Sequence, residues 1–180
     1  MKWLQNENGR EADDRNAILA NQQKNYEACV HKLDAQGKYI KSWGDKGTGD
    51  GQFDTPEGIA ADGSGHVYVC DRQNSRLQKF DSDGKVLAKW GKEGSGDGEF
   101  HFPAAVAVDK GGNVFVADSD NHRVQKFTAE GKFLTKWGQF GEAPGQFNVP
   151  LGIAVDKEGN VYVSDSHNHR IQKFAPVASR

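Results

Sequence analysis

Apolar residues in this chain come in short runs separated by polar and glycine-rich stretches, and the runs recur at a fixed interval. Asn113 to Phe127 reads NVFVADSDNHRVQKF, with near copies HVYVCDRQNSRLQKF at His66 to Phe80 and NVYVSDSHNHRIQKF at Asn160 to Phe174. Asp71, Asp118 and Asp165 lie 47 residues apart, as do Arg76, Arg123 and Arg170, and Trp43, Trp90 and Trp137. A period of this length identifies a repeat architecture, each repeat being one supersecondary unit.

One unit predicts four strands. In the copy beginning near Gly98 they are Ala104–Asp109, Asn113–Asp118, Arg123–Phe127 and Lys132–Gly138. The second is apolar on consecutive positions, Val114 to Ala117, as expected of a strand buried on both faces. The third and fourth are expected to alternate, with Lys126 and Lys136 pointing to water. Asp83-Gly84 and Gly111-Gly112 supply turn residues that tolerate positive φ. The gradient from small apolar to polar and aromatic residues suits a sheet running radially from a crowded axis to a solvated rim. Four-stranded sheets repeated around an axis make a β-propeller, with a solenoid or a sandwich as competitors. The chain therefore divides into a polar leader or degenerate repeat remnant (1–29), blades (30–174) and a short tail (175–180). The blades amount to about three and a half, because Val30 to Gly44 matches only the last half of a unit.

The pattern P-x-G-I-A-V-D-x-x-G-N-V-Y-V-x-D-x-x-N-x-R-I-Q-x-F is met almost letter for letter by Pro150 to Phe174, and closely by Pro56 to Phe80 and Pro103 to Phe127. The chain thus resembles the NHL-repeat β-propeller family. That resemblance implies an all-β fold that usually closes with six blades, on a scaffold used for protein binding, RNA binding or catalysis. Three and a half units leave two routes to a ring: a longer protein of which this is a part, or a homodimer in which each chain's leading strand completes the other's last blade.

Composition narrows the function classes. The formal net charge of −2 gives no global pull toward nucleic acid or anionic membrane. Cys29 and Cys70 stand in no metal-type spacing, and Cys70 takes the repeat position held by Ala117 and Ser164, which points to a small packed residue. No stretch approaches the roughly 20 apolar residues of a membrane span, and MKWLQNENGR lacks a signal-peptide apolar region. The expectation is a soluble, by default cytoplasmic, protein.

Candidate chemistry divides into what recurs and what does not. Asp71, Asn74 and Arg76, Asp118, Asn121 and Arg123, and Asp165, Asn168 and Arg170 recur in every unit, which argues for a structural clasp in each blade rather than a catalytic set. Function is expected where the copies differ, on loops carried by a regular scaffold. The ligand-face candidates are Glu57, Arg72, His101, Asp120 and His167, with His122 and His169 nearby. His167-x-His169 alone does not supply the three or four convergent ligands of a zinc site. The peptidyl-hydroxyglycine amidating lyase, built on related repeats, implies a zinc-binding histidine directly after the blade proline. Glu57, Ala104 and Leu151 stand there instead. The calcium cluster of lactone-hydrolysing propellers has no assignable counterpart. Lys79, Lys85, Lys89, Lys126, Lys132, Lys136 and Lys173 suggest a lysine-rich rim, as solvated strand faces or as an RNA surface. The sequence favours a non-catalytic scaffold for protein or peptide partners, with no catalytic residue, metal or cofactor and no membrane contact. A propeller enzyme with a lyase- or hydrolase-type site at the channel mouth is the alternative, and RNA binding the third reading.

Overall fold

The computed structural model describes residues 28–176 and is almost entirely β. Most of the leader assigned to 1–29, and all but the start of the tail, lie outside the described residues. Two strands open the fold, β1 (Val30–Leu33) and β2 (Tyr39–Trp43). A four-stranded sheet follows, of β3 (Pro56–Ala61), β4 (Val67–Asp71), β5 (Arg76–Phe80) and β6 (Val86–Trp90). The next comprises β7 (Pro103–Val108), β8 (Val114–Asp118), β9 (Arg123–Phe127) and β10 (Phe133–Trp137). The last described sheet has three strands, β11 (Pro150–Val155), β12 (Val161–Asp165) and β13 (Arg170–Phe174). The named strands all pair antiparallel with chain neighbours, and the registers repeat: Asp71 faces Arg76, Asp118 faces Arg123 and Asp165 faces Arg170. Each sheet is a propeller blade.

The blades meet along their first strands, β3 beside β7 and β7 beside β11. Small residues allow this approach. A Cβ added to Gly58 would lie 2.6 Å from both the Ala104 carbonyl oxygen and the Ala105 Cα, backbone atoms that cannot step aside. Farther out, aromatic rings fill the joints. Trp43, Trp90 and Trp137, each ending one blade, pack on Phe80, Phe127 and Phe174 of the next, with centroids 6.1, 6.1 and 5.7 Å apart. Phe53, Phe100 and Phe147, from the loops between blades, reach the same three rings at 5.6–5.7 Å. These tilted geometries are the favoured arrangement for ring quadrupoles. Trp43 and Trp90 lie on the following blade's turns at Gly84 and Gly131, where φ is +82° and +85° and a Cβ would fall within 2.7 Å of the indole.

Burial follows from neighbours. β8, between two blades, is buried at every position. β12 carries almost the same sequence yet alternates, because no blade covers one of its faces among the described residues. The third strands correct the expected alternation. In β5 and β9 every residue but the lysine is buried, since Arg and Gln insert against the preceding loop and Phe joins the aromatic joint. Their lysines are not free rim charges either: Lys79 and Lys126 lie 5.2 and 5.1 Å over the rings of Tyr68 and Phe115. On the fourth strands Lys89 pairs with Asp50, and Lys136 with Asp97 at 2.7 Å. No helix among the described residues is long and apolar enough to cross a membrane.

The contact at Gly58 gives a direct check of the axial packing. Gly58→Val should lower the thermal midpoint followed by circular dichroism, a loss on the order of 1–3 kcal/mol from overpacking; an unchanged midpoint would show that the inner strands are not in contact there.

Candidate functional site

The loops that precede each first strand and those that join second to third strands meet on one face. Their backbones are bonded to each other in every blade. Gln73 N–H donates to the Asp54 carbonyl at 3.1 Å, Asp120 N–H to His101 at 3.2 Å, and His167 N–H to Asn148 at 3.1 Å. Two backbone positions on this face are strained alike in all copies. Thr55, Phe102 and Val149, each directly before the blade proline, have φ of 56°, 53° and 53°. Ser75, His122 and His169 have φ of 50°, 52° and 53°. Non-glycine residues seldom adopt this region, and a β-branched valine least readily. Residue type varies at both positions while φ does not, so the loop geometry dictates the conformation.

Beneath the face lies the recurring Asp–Asn–Arg set. Arg76 Nε donates to Asp71 Oδ2 at 2.7 Å, and the Arg123–Asp118 and Arg170–Asp165 bonds have the same length. Asn74, Asn121 and Asn168 donate to the same oxygens at 2.9–3.0 Å. The other carboxylate oxygen accepts the backbone N–H of Asp54, His101 or Asn148. Each guanidinium also reaches back to the loop that joins its blade to the one before. Arg123 donates to the carbonyls of Ser95, Gly96 and Glu99, and Arg76 to those of Thr48, Gly49 and Gln52. The sequence reading passed over a fourth member. Gln78, Gln125 and Gln172 donate to the carbonyls of Gln52, Glu99 and Gln146 at 2.7 Å, and accept the N–H of Gly51, Gly98 and Gly145. Their own 47-residue spacing was the available signal.

The surroundings set the acidities. Burial pushes the Asp118 carboxyl up, against the bonds from His101 N–H, Asn121 and Arg123. At Asp165 burial again opposes ionisation, but Asn148 N–H, Asn168 and Arg170 prevail and hold the carboxyl below its ordinary value. Burial pushes the Cys70 thiol up as well, which leaves no reactive thiolate at that position.

The non-recurring candidates are partly gathered. Arg72 pairs with Glu57 at 3.2 Å, and its guanidinium stands 5.2 Å over the Phe102 ring of the next blade. His101 stacks on the same ring at 4.7 Å, and its carbonyl holds the Asp120 amide. Glu57, Arg72, His101 and Asp120 thus form one patch across the joint between the first two full blades. His167 lies one blade further on. His122 accepts the Val149 N–H through Nδ1 at 3.2 Å and lies 5.0 Å from Phe140. Phe140 is a large apolar side chain left 66% exposed, and the sequence reading missed it. Its repeat equivalents are Lys46 and Glu93, so its departure from the pattern was visible. Among the described residues no three His, Cys, Asp or Glu side chains converge as metal ligands.

Comparison with known proteins agrees with this geometry. Residues 53–80, 100–127 and 147–174 each match the NHL repeat. Among solved structures, virginiamycin B lyase from Staphylococcus aureus is similar at 15% identity and a TM-score of 0.58, over 86% of this chain and 51% of that one. An auxiliary nutrient binding protein from Bacteroides thetaiotaomicron is similar at 17% identity and a TM-score of 0.63, over 82% of this chain and 43% of the other. The WD40 β-propeller domain of Doa1 matches at 15% identity and a TM-score of 0.57, over 79% and 42%. This chain spans about half the length of such structures, and at these identities the likeness is one of fold.

Two outcomes test the buried set. Arg123→Ala leaves Asp118 buried without its cation and should cost on the order of 3–5 kcal/mol, read by urea unfolding. The solvent-flanked Arg170→Ala should cost less. For Asp165 the folded acidity is stronger than the unfolded one, so its contribution is complete above the ordinary carboxylate range and is lost as pH falls through the lowered folded value. Asp165→Asn should therefore flatten the acid limb of a plot of thermal midpoint against pH; an acid limb as steep as the parent's would count against that role.

Proposed function

Since this chain belongs to the NHL-repeat family of β-propellers, we propose that it is a non-catalytic binding module whose loop face receives a protein or peptide partner. One observation carries the reading. The residues that break the repeat, Glu57, Arg72, His101, Phe102, Asp120 and Phe140, gather over blade joints on one face, above a layer that every blade repeats. A stacked, ion-paired arginine and an exposed aromatic ring suit recognition: aromatic and arginine side chains dominate interface energetics. In the same reading the recurring Asp, Asn and Arg serve stability and touch no ligand.

A second copy of the chain is part of this proposal. The described sheets form an arc, and two such arcs approach the length of the solved propellers that match it. The channel mouth would then be lined by both chains. Likeness to a lyase is one of fold and adds no catalytic group to this face. Lys79 and Lys126 lie over rings, and Lys89 and Lys136 pair with acids, which weakens the RNA reading.

The binding role is tested by selecting peptides from a displayed random library on the purified chain. Selected peptides should lose at least tenfold in affinity with Arg72→Ala or Phe140→Ala and be indifferent to Lys157→Ala on the opposite turns. Peptides insensitive to both face variants would sink the proposal. Light scattering after gel filtration should give twice the chain mass, and a monomer at every concentration would remove the second copy.

A further inference from the structure

Among the described residues the two ends of the arc are uncovered and not equivalent, and their difference states how a second copy would dock. Thirteen strands are described, one more than the twelve of three four-stranded blades, which is half of the six-bladed ring that the family resemblance implies. The surplus is specific. Val30 of β1 and Ile171 of β13 occupy the same repeat position, three periods of 47 apart. In a two-chain ring both strands therefore claim the third place of the shared blade. β13 is built for that place. Arg170 and Gln172 make the full set of bonds to Asp165 and to the preceding loop, and Phe174 sits in the aromatic joint with Phe147 and Trp137. Cys29, just before β1, and His31 and Leu33 within it stand where β13 has arginine, glutamine and phenylalanine. Leu33 is 53% exposed, while Phe80 and Phe127 at its repeat position are fully buried.

Exposure marks the same seam. Ile171 is 66% exposed, whereas its equivalents Leu77 and Val124 are fully buried against a following blade. Ile59 on β3 is 56% exposed, whereas Val106 at its position on β7 is 5% exposed against a preceding one. The trailing apolar face of one arc and the leading apolar face of another are the two halves of a joint that this chain already forms internally.

We propose that two copies close the ring by strand replacement: β1 leaves its place, the partner copy's β13 takes it, and β2 becomes the fourth strand of that blade. The proposal rests on the second copy named in the functional reading and specifies its seam. The register is given by β5 on β6, where Leu77 faces Trp90, Gln78 faces Lys89 and Lys79 faces Ala88. Shifted by the repeat, Lys41 of one chain faces Lys173 of the other. Within a single arc Lys41 instead faces Lys32. One residue thus has two alternative neighbours, and each can be trapped, because directly opposed strand positions lie within disulfide reach.

The full chain carrying Lys41→Cys and Lys173→Cys should form a covalent dimer on mild oxidation, while the parent, with its native cysteines, and each single variant should not. Lys32→Cys with Lys41→Cys should lock β1 onto β2 and shift a dimeric parent to monomer in light scattering, reversed by reductant. A locked variant that stays dimeric, or a dimeric parent whose Lys41/Lys173 pair never cross-links, overturns strand replacement and leaves the dimer standing. A parent that is monomeric throughout overturns the dimer itself, and the seam with it.

Discussion

The structure depends on a buried carboxylate with more than one client. In each blade the Asp at the end of the second strand holds the arginine that opens the third, the asparagine of the intervening turn and the amide of a loop arriving from the previous blade. The arginine then satisfies carbonyls of that same loop. A connection running from the rim of one blade to the axis of the next exposes many backbone groups, and buried carbonyls without partners are costly. One planar cation with five donors answers several of them at once. The charge pair is therefore less a bond between two strands than the means by which an irregular loop is made part of the core.

Because the loop is held in this way, the aromatic joint is placed. Phe53, Phe100 and Phe147 lie within the clasped loops and deliver their rings to the next blade. The polar layer near the loop face and the aromatic layer farther out are thus coupled through a few residues of backbone. The strained positions before each proline follow from the same constraint, since the chain must turn from the clasped loop into the first strand within one residue.

Much of this was legible in the sequence, and for one reason. A residue that recurs at the period in every copy reports a requirement of the unit. Asp118, Asn121 and Arg123 recur in this way, as does the order of four strands. Strand ends came within a residue of those observed; the third strand did not behave as expected. Lys126 suggests alternation in RVQKF, but Gln125 is buried among backbone groups that belong to a distant loop. Hydrophobic periodicity counts a glutamine as a solvent contact and cannot register a partner 26 residues away. Arg72 reaching Phe102 across a joint was invisible for the same reason: the contact is between neighbouring blades, and neither residue recurs.

Repetition also explains why equal sequence does not give equal surface. Leu77 and Ile171 do the same work in their units, yet one is core and the other lies 66% open to water. Covering such a side chain is worth roughly 1.5–3 kcal/mol. An internal blade draws that benefit from both of its faces; a terminal blade draws it from one. In a repeat array each apolar face presupposes the next unit, so exposed apolar residues at the two ends are complementary by construction rather than by separate design. A closed array leaves none of them in water, and an arc leaves one joint's worth. The loop face is different in kind, because there Arg72, Phe102 and Phe140 stand at positions whose residue type changes from one repeat to the next.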